Sequence, residues 1–393
     1  MKAVIFKGKR NVVVEEVENP KIEQPTDVIV KITSSAICGT DLHMYDGENP
    51  LKPGKILGHE PMGVIHEIGI GVQLIKPGDR VVVTPNIACG SCLNCIQGLT
   101  NECLTLNPDA PGATYGTSKG LYGGGQAEYL RVPYGDLACL KLPGEPGDEL
   151  EDDYLLLSDI FPTAYHATEL ANVKTGKSVA IFGAGPVGLL TAYSSILKGA
   201  SEVYIVDKSD ERLRRAESIG AIPINFKEED PADQIMEHRK NNKRIVDALR
   251  LGEEKVLGID CVIDAVGFQS LNRDNLSEYK RNQVLMDMAN IVNAGGNIGI
   301  IGVYIPNNPA AEDDNEKKGN LIFPIGKLWS KSVQIGTGVV PAKKYQPYLR
   351  NLISTGVAKP SFIISDRICI DDAPQTYREF DRREEVVKPV IKF

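Results

Sequence analysis

No stretch of the 393-residue sequence runs to about 18 consecutive apolar residues, so nothing in it is built to cross a bilayer as a helix. Basic charge is in deficit. The 44 Lys and Arg face 52 Asp and Glu, a net charge of −8, whereas nucleic acid or an anionic membrane would require a basic face. The opening MKAVIFKGKRNVVVEEVE alternates apolar and polar residues like a strand, and it lacks the apolar core and small-residue cleavage site of a secretion signal. Neither an internal repeat nor a low-complexity linker is present. Eight cysteines without a secretion signal point to reduced thiols and metal rather than disulfides, and to a cytoplasmic protein. The expected partners are small molecules, with no nucleic acid and no membrane.

What is present divides the chain in two. Its length exceeds one ordinary core, and two domains of roughly 150–200 residues are expected. Up to about Pro143 the texture is loop-rich and β-like. Val28 to Ser35 alternates cleanly, Val64 to Ile68 and Arg80 to Val83 read as further strands, and turns fall at PGKILG, KPGDR and YGGGQ. From near residue 160, short Val- and Ile-rich runs alternate with helix-length amphipathic segments, the pattern of a parallel sheet covered on both faces. After about Pro341 come a helix over roughly Tyr345–Thr355 and mixed short strands, and periodicity alone leaves open which domain they join. The acidic run Glu145 to Leu157 reads as a loop leading into a helix, with its charges forming a solvated face.

The run CGSCLNCIQGLTNEC places Cys89, Cys92, Cys95 and Cys103 within 15 residues. Two successive CxxC steps let thiolates converge on one ion, and Cys103 closes the tetrahedron. Four thiolates with no open position make a structural zinc site that ties down a loop and performs no chemistry. A redox CxxC pair would need only two of the four.

VAIFGAGPVGLL supplies Gly183, Gly185 and Gly188 in GxGxxG spacing, after a strand and at the head of a helix that opens with Pro186 and Val187. Gly183 permits the tight turn, Gly185 lets the backbone approach a pyrophosphate, and Gly188 lets helix and strand pack closely. The pyrophosphate would sit on the helix N-terminus. The next strand, EVYIVD, ends in Asp207, 22 residues after Gly185, where a carboxylate accepts from ribose hydroxyls and repels a 2′-phosphate. That argues for NAD. Arg212, five residues on, keeps a use of NADP open, and a Gly-rich turn serving another nucleotide is the plainer alternative.

A third group is scattered. CGTDLH provides Cys38, Thr40, Asp41 and His43, and LGHEPMG provides His59 and Glu60. One thiolate, one imidazole and one further ligand with a fourth position open is the logic of a catalytic zinc. Taken singly, Cys38 and His59 read better as a buried thiol and a structural histidine; what shifts the reading is their company, since a nicotinamide site needs an electrophile and no other His or Cys cluster offers one. His66, His166 and His238 lack a comparable setting, and His66 reads as structural.

The GHE after CGTDxH, the four-cysteine lobe, and GxGxxG with its downstream acid resemble the zinc-containing medium-chain dehydrogenase/reductases, the alcohol dehydrogenase superfamily, over essentially the whole chain. The resemblance implies an α/β protein. A GroES-like β-rich catalytic domain would span 1–162 and 342–393, with a Rossmann doubly wound parallel-sheet domain over 163–341 and the active site in the cleft between them. It implies two zinc ions and NAD per chain, a homo-oligomer (tetramer rather than dimer), and oxidation of small alcohols or aldehydes. NPDAPGATYG, YGGGQAEYLRVPYGD, LLSDIFPTAYHA and DDAPQTYREFD are similar to the glutathione-independent formaldehyde dehydrogenases, NAD enzymes that also dismutate aldehydes. In that branch Asp159 stands where a third protein ligand joins Cys38 and His59 on the catalytic zinc. It could instead cap a helix N-terminus. Glu60 is implied behind the metal as a supporting or exchanging ligand. Thr40 and His43 are implied in a proton relay through the nicotinamide ribose, while Asp41 orients its loop. The chain departs from the branch in a shorter segment before GHE and in the loop Thr114 to Tyr122, which covers bound cofactor there. A polyol or secondary-alcohol dehydrogenase shares every motif except SDIFPTAYH, and a non-catalytic NAD-binding protein would keep only the structural zinc.

Overall fold

The computed structural model of the chain describes residues 1–106, 112–118, 120–249, 258–306, 311 and 313–393. Asn107 to Pro111, part of one segment carrying the family resemblance, and Lys119 in the loop Thr114 to Tyr122 lie outside them. The chain divides into one unit of Met1–Thr163 with Val339–Phe393 and another of Ala164–Gly338. Val339 belongs with the first because Asn101 Nδ2 donates to its carbonyl at 3.0 Å.

The first unit is built on a mixed sheet of seven strands. Their order is Asp366–Cys369, Pro389–Lys392, Val28–Ala36, Glu60–Ile68, Arg80–Val83 and Cys139–Lys141, with Tyr129–Val132 also paired to Val28–Ala36. The C-terminal strands therefore return to the sheet begun at Val28, which decides what periodicity left open. Alternation explains why Val28–Ala36 is central: Val28, Val30 and Ile32 face a core with Ile65, Val81, Val83, Leu130 and Val132. A second cluster joins Val4, Phe6, Ile37, Leu42 and Met44 to Tyr377, Phe380 and Ile391 from the far end of the sequence.

The acidic run departs from its expected character. Glu145 and Gly147 are exposed, but Glu151–Leu155 is a helix in which Glu151 and Asp153 are buried. Glu151 accepts from Thr33 Oγ1 at 2.9 Å and Ser34 Oγ at 3.1 Å, and pairs with the buried Arg80, which also holds Asp148 at 2.8 Å. Asp152 pairs with Arg367 and Lys392. The charges lie against the sheet because its strands present matching donors; charge density along a sequence does not report partners distant in it.

The second unit carries a six-stranded parallel sheet in the order Ile222–Asn225, Glu202–Asp207, Ser178–Phe182, Ile259–Asp264, Val292–Ile300 and Gln334–Thr337. Numbered along the chain this is 3-2-1-4-5-6, the Rossmann order, which switches direction beside Ser178–Phe182. All five residues of that strand are buried, as a strand covered on both faces must be. Phe182, Val206, Val262 and Ile298 meet Val284 and Met288 of the helix Gln283–Ile291 in one core.

The turn after Ser178–Phe182 shows why its glycines are there. Gly183 adopts φ +96°, and a Cβ on Gly188 would stand 1.7 Å from the Gly183 carbonyl oxygen. A Cβ on Gly185 would meet nothing within 4 Å. The two positions therefore separate packing from binding. Gly188→Ala should cost roughly 1–3 kcal/mol of unfolding free energy in denaturant titration, the usual penalty of overpacking. Gly185→Ala should change stability by less than about 1 kcal/mol and lower dinucleotide affinity instead.

Candidate active site and metal centres

Cys38 ends the turn that follows the central strand and caps the helix Gly39–Tyr45, its Sγ receiving the Thr40 amide at 3.5 Å. Asp41 completes the cap by accepting from the Cys38 amide at 3.0 Å. The register pairs Ala36 with Glu60 on one neighbour and with Val390 on the other. Cys38, His59, Glu60 and Lys388 therefore gather at one end of the sheet. Asp159 enters from the residue before the helix Ile160–Leu170.

Sulfur, nitrogen and carboxylate oxygen atoms of Cys38, His59, Glu60 and Asp159 lie within 4.8 Å of one another. His59 Nε2 stands 3.4 Å from Asp159 Oδ2. Two ligands each about 2.1 Å from one ion at a tetrahedral angle stand about 3.4 Å apart, so this edge already has zinc dimensions. Asp159 precedes the helix, but its side chain bonds to no helix amide: its Oδ1 accepts from the Thr163 hydroxyl at 2.8 Å while Oδ2 faces the imidazole.

Electrostatics favour a cation here. Burial pushes the Cys38 thiol up, and Glu60 adds to it against the opposing Lys388 and His59. Burial opposes charge on His59, yet Asp41, Cys38 and Asp159 together raise it well above the usual imidazole range. Asp159 is held low despite burial by His59, Thr163 and Lys388. The Cys38 thiol and the carboxyl groups of Glu60 and Asp159 thus act on one ammonium, Lys388, which is fully buried and 2.6 Å from Glu60 Oε1. Glu60 Oε2 is buried without a hydrogen-bond partner. An acidic cluster removed from water is costly unless a cation joins it, so the donor set fits zinc.

Thr40 and His43 share the helix Gly39–Tyr45 three residues apart, on one face. Both are half-buried. Desolvation, reinforced by Arg383, lowers His43 to about 3, so it is a neutral imidazole. Two further histidines serve elsewhere: His66 is exposed against the Tyr129 ring, and His238 Nδ1 lies 3.0 Å from the Tyr204 hydroxyl.

The four-cysteine lobe is a separate centre. The sulfurs of Cys89, Cys92, Cys95 and Cys103 lie within 4.8 Å of one another, near the roughly 3.8 Å edges of a zinc–thiolate tetrahedron. Backbone amides point at the sulfurs: Cys92 to Cys89 at 3.3 Å, Cys89 to Cys103 at 3.4 Å, and Leu106 to Cys103 at 3.4 Å. Burial pushes the Cys89 thiol up, but Thr105 and the Ser91 and Cys92 donors outweigh it and bring it to about 5. No fourth position stays open.

In the second unit the helix Pro186–Leu197 starts at Gly185 with proline in its first turn and no side chain capping its amides. Free amides above the open space at Gly185 fit a dinucleotide pyrophosphate. Val187 is half-buried in that first turn, and its carbonyl accepts from Thr191 Oγ1 at 2.7 Å. Asp207 also has a role its spacing did not reveal. Oδ2 accepts from the Ala184 amide at 2.7 Å, while Oδ1 accepts from Lys208 and Ser209 at 2.7 and 2.9 Å. It ties the glycine turn to the next strand. Arg212 stands 3.7 Å from Asp207 Oδ2.

Sequence reasoning passed over Lys388, Gln126 and Tyr377. Lys388 belongs to no motif, whereas Gln126 and Tyr377 lie inside YGGGQAEYLRVPYGD and DDAPQTYREFD, segments that carry the family resemblance without marking a role for either side chain.

This pairing of units and centres defines a zinc-containing dehydrogenase, and known proteins agree. The alcohol dehydrogenase GroES-like domain family matches residues 24–144. The chain is 37% identical to the glutathione-independent formaldehyde dehydrogenase of Bacillus subtilis over 97% of its length and 94% of the relative's. It is 35% identical to the formaldehyde dismutase of Pseudomonas putida, covering 97% and 95%. The solved alcohol dehydrogenase of Thermus sp. ATN1 superposes with TM-score 0.81 at 31% identity, covering 100% and 99% of the two chains. The protein belongs to the zinc-containing alcohol dehydrogenase family, whose members use zinc and a nicotinamide dinucleotide.

Cys103→Ser should release one zinc equivalent, measured by metal analysis after desalting, and lower Tm by on the order of 10 °C, because the metal closes a lobe with little core of its own.

Proposed function

We propose that the protein oxidises small alcohols or hydrated aldehydes such as formaldehyde with NAD, at a zinc held by Cys38, His59 and Asp159. The convergence of those three side chains with Glu60 carries the reading. Relatives named for formaldehyde, similar over nearly their full length, support the substrate class. A zinc ion bound there supplies Lewis acidity that makes a neighbouring hydroxyl acidic near neutral pH, and the nicotinamide supplies the hydride acceptor.

The chain's own residues handle position and protons. Asp159 and His59 hold one edge of the site, and Lys388 draws Glu60 Oε1 aside so that this carboxylate backs the ligands. The reacting carbon loses hydride as its oxygen loses a proton. An alcohol leaves as a carbonyl compound and an aldehyde hydrate as an acid. Thr40 Oγ1 takes up the proton near Cys38 as it releases its own, and His43 passes a proton toward solvent as a neutral conduit, accepting at one ring nitrogen and donating from the other.

Asp207 supports NAD over NADP, because its carboxylate stands where a 2′-phosphate would be repelled, although Arg212 offsets part of that charge. Eight thiols, none in a disulfide, suit the reducing cytoplasm. The exposed edge strand Gln334–Thr337, which carries the exposed Ile335, supports association with further copies, for which the resemblance suggests a tetramer.

Metal analysis joined to an NAD-reduction screen over formaldehyde, short alcohols and sorbitol tests the reading. Two zinc ions per chain and turnover of aldehydes are expected, whereas sorbitol as the preferred substrate would assign the polyol activity instead. Cys38→Ser should remove one zinc and at least roughly 1000-fold of turnover with the fold intact, and activity surviving without that zinc would refute the mechanism. Asp207→Ser should relax discrimination against NADP about 10- to 100-fold in kcat/KM, the weight of a hydrogen bond to a charged group; an unchanged ratio would remove Asp207 from the ribose role.

A further inference from the structure

Behind His59 a chain of buried polar groups crosses the first unit to its C-terminal helix. The Tyr377 hydroxyl, on the helix Ala373–Asp381, donates to Gln126 Oε1 at 2.9 Å. Gln126 Nε2 donates to Asp41 Oδ2 at 3.1 Å and lies 3.5 Å from the Ala36 carbonyl. Asp41 Oδ1 stands 3.3 Å from His59 Nδ1, within ion-pair reach although neither atom makes a well-directed hydrogen bond, and His59 Nε2 faces Asp159. Gln126, Asp41 and Tyr377 are each fully buried.

Each link has only one workable direction. The Cys38 amide already donates to Asp41 Oδ2, so this carboxylate is an acceptor and the Gln126 amide must turn its nitrogen toward it. That leaves Gln126 Oε1 toward Tyr377, whose hydroxyl proton satisfies it. With Oδ2 doubly occupied, Asp41 has Oδ1 for the Nδ1 proton of His59, and the Nε2 lone pair is left for the metal side. Gln126 is also fixed in place from below. Its backbone bonds both ways, N–H to the Leu57 carbonyl at 2.9 Å and carbonyl from the Val4 amide at 2.9 Å. Gly58, directly before His59, has φ +96° and would place a Cβ 2.4 Å from Gln126 Cγ. The ligand loop is thus shaped around the glutamine.

We propose that Gln126 and Tyr377 are positioning residues that fix the tautomer and orientation of His59 through Asp41, and so set the affinity of the Cys38–His59–Asp159 centre for zinc. The proposal rests on that centre being a zinc site. It concerns a side chain two links from the ligand and a helix some 318 residues further along the chain than His59. The four-cysteine centre draws its donors from Cys89, Cys92, Cys95 and Cys103 alone, so it serves as an internal control within the same molecule.

The test is zinc competition with a chromophoric chelator on the full-length protein, resolving the two sites, together with the absorption spectrum after cobalt(II) replaces the weaker-held zinc. Gln126→Met keeps the volume and removes both bonds, and should weaken the catalytic centre roughly 10- to 100-fold while the four-cysteine site is unchanged. Tyr377→Phe keeps the ring in its core and removes only the donor that orients the amide; it should weaken the same centre by a smaller factor and alter the cobalt ligand-field bands. Should Gln126→Met not fold, Tyr377→Phe decides alone. Folded variants with wild-type affinity at both sites and an unchanged cobalt spectrum would overturn the relay. Equal weakening of both sites would do so too, since it would report loss of stability and not of positioning. A wild-type protein holding one zinc per chain would instead overturn the catalytic centre, and the relay with it.

Discussion

The first unit depends on the register of one strand. Val28–Ala36 pairs with three neighbours, and at Ala36 it lies opposite Glu60 on one side and Val390 on the other. A slip by one residue against Glu60–Ile68 would turn Glu60 to the opposite face and carry His59 away from Cys38. The side chains enforcing the register are apolar and remote from the chemistry: Val28, Val30 and Ile32 find their places only if Ile65, Val81 and Val83 do. The candidate metal site is therefore positioned by burial of aliphatic surface, and its polar residues occupy the strand ends that this burial selects.

Those polar residues are satisfied in layers. Glu60 leans on Lys388, Asp41 on the Cys38 amide and Gln126, and Gln126 on Tyr377. Each buried polar atom on this list would be costly alone, and the network is tolerable because nearly every member has a partner. The exceptions are Glu60 Oε2 and Asp41 Oδ1, each buried without a hydrogen-bond partner. Glu151 and Arg80 repeat the principle on another edge of the same sheet, so the unit carries two ionic interiors, one among metal-ligand donors and one purely structural.

The two units solve different problems. In the second, the inner parallel strands are buried on both faces and the candidate functional features are backbone: a left-handed Gly183, uncapped amides at the head of a helix, open space above Gly185. Such features follow from short-range geometry and leave a compact sequence signature. In the first, function is carried by side chains contributed from residues 38 to 388, and no local pattern encodes their meeting.

This contrast sets what could be read from the chain alone. The four-cysteine lobe, the glycine turn, the alternation of Val28 to Ser35 and the α/β class were legible because each depends on spacing within one element or turn, where the periods of helix and strand dictate which residues face one another. Cys38 and His59 were legible only as candidates, since a buried thiol and a buried histidine look the same in sequence whether or not they meet. Tertiary structure alone supplied the 3.4 Å approach of His59 to Asp159, the pairing of Glu60 with Lys388, the burial of Glu151 in a run that looked solvated, and the relay through Gln126 to Tyr377. All of these join residues brought together by sheet register across tens to hundreds of positions. Register is decided by the summed packing of a whole core, which no single stretch of sequence contains.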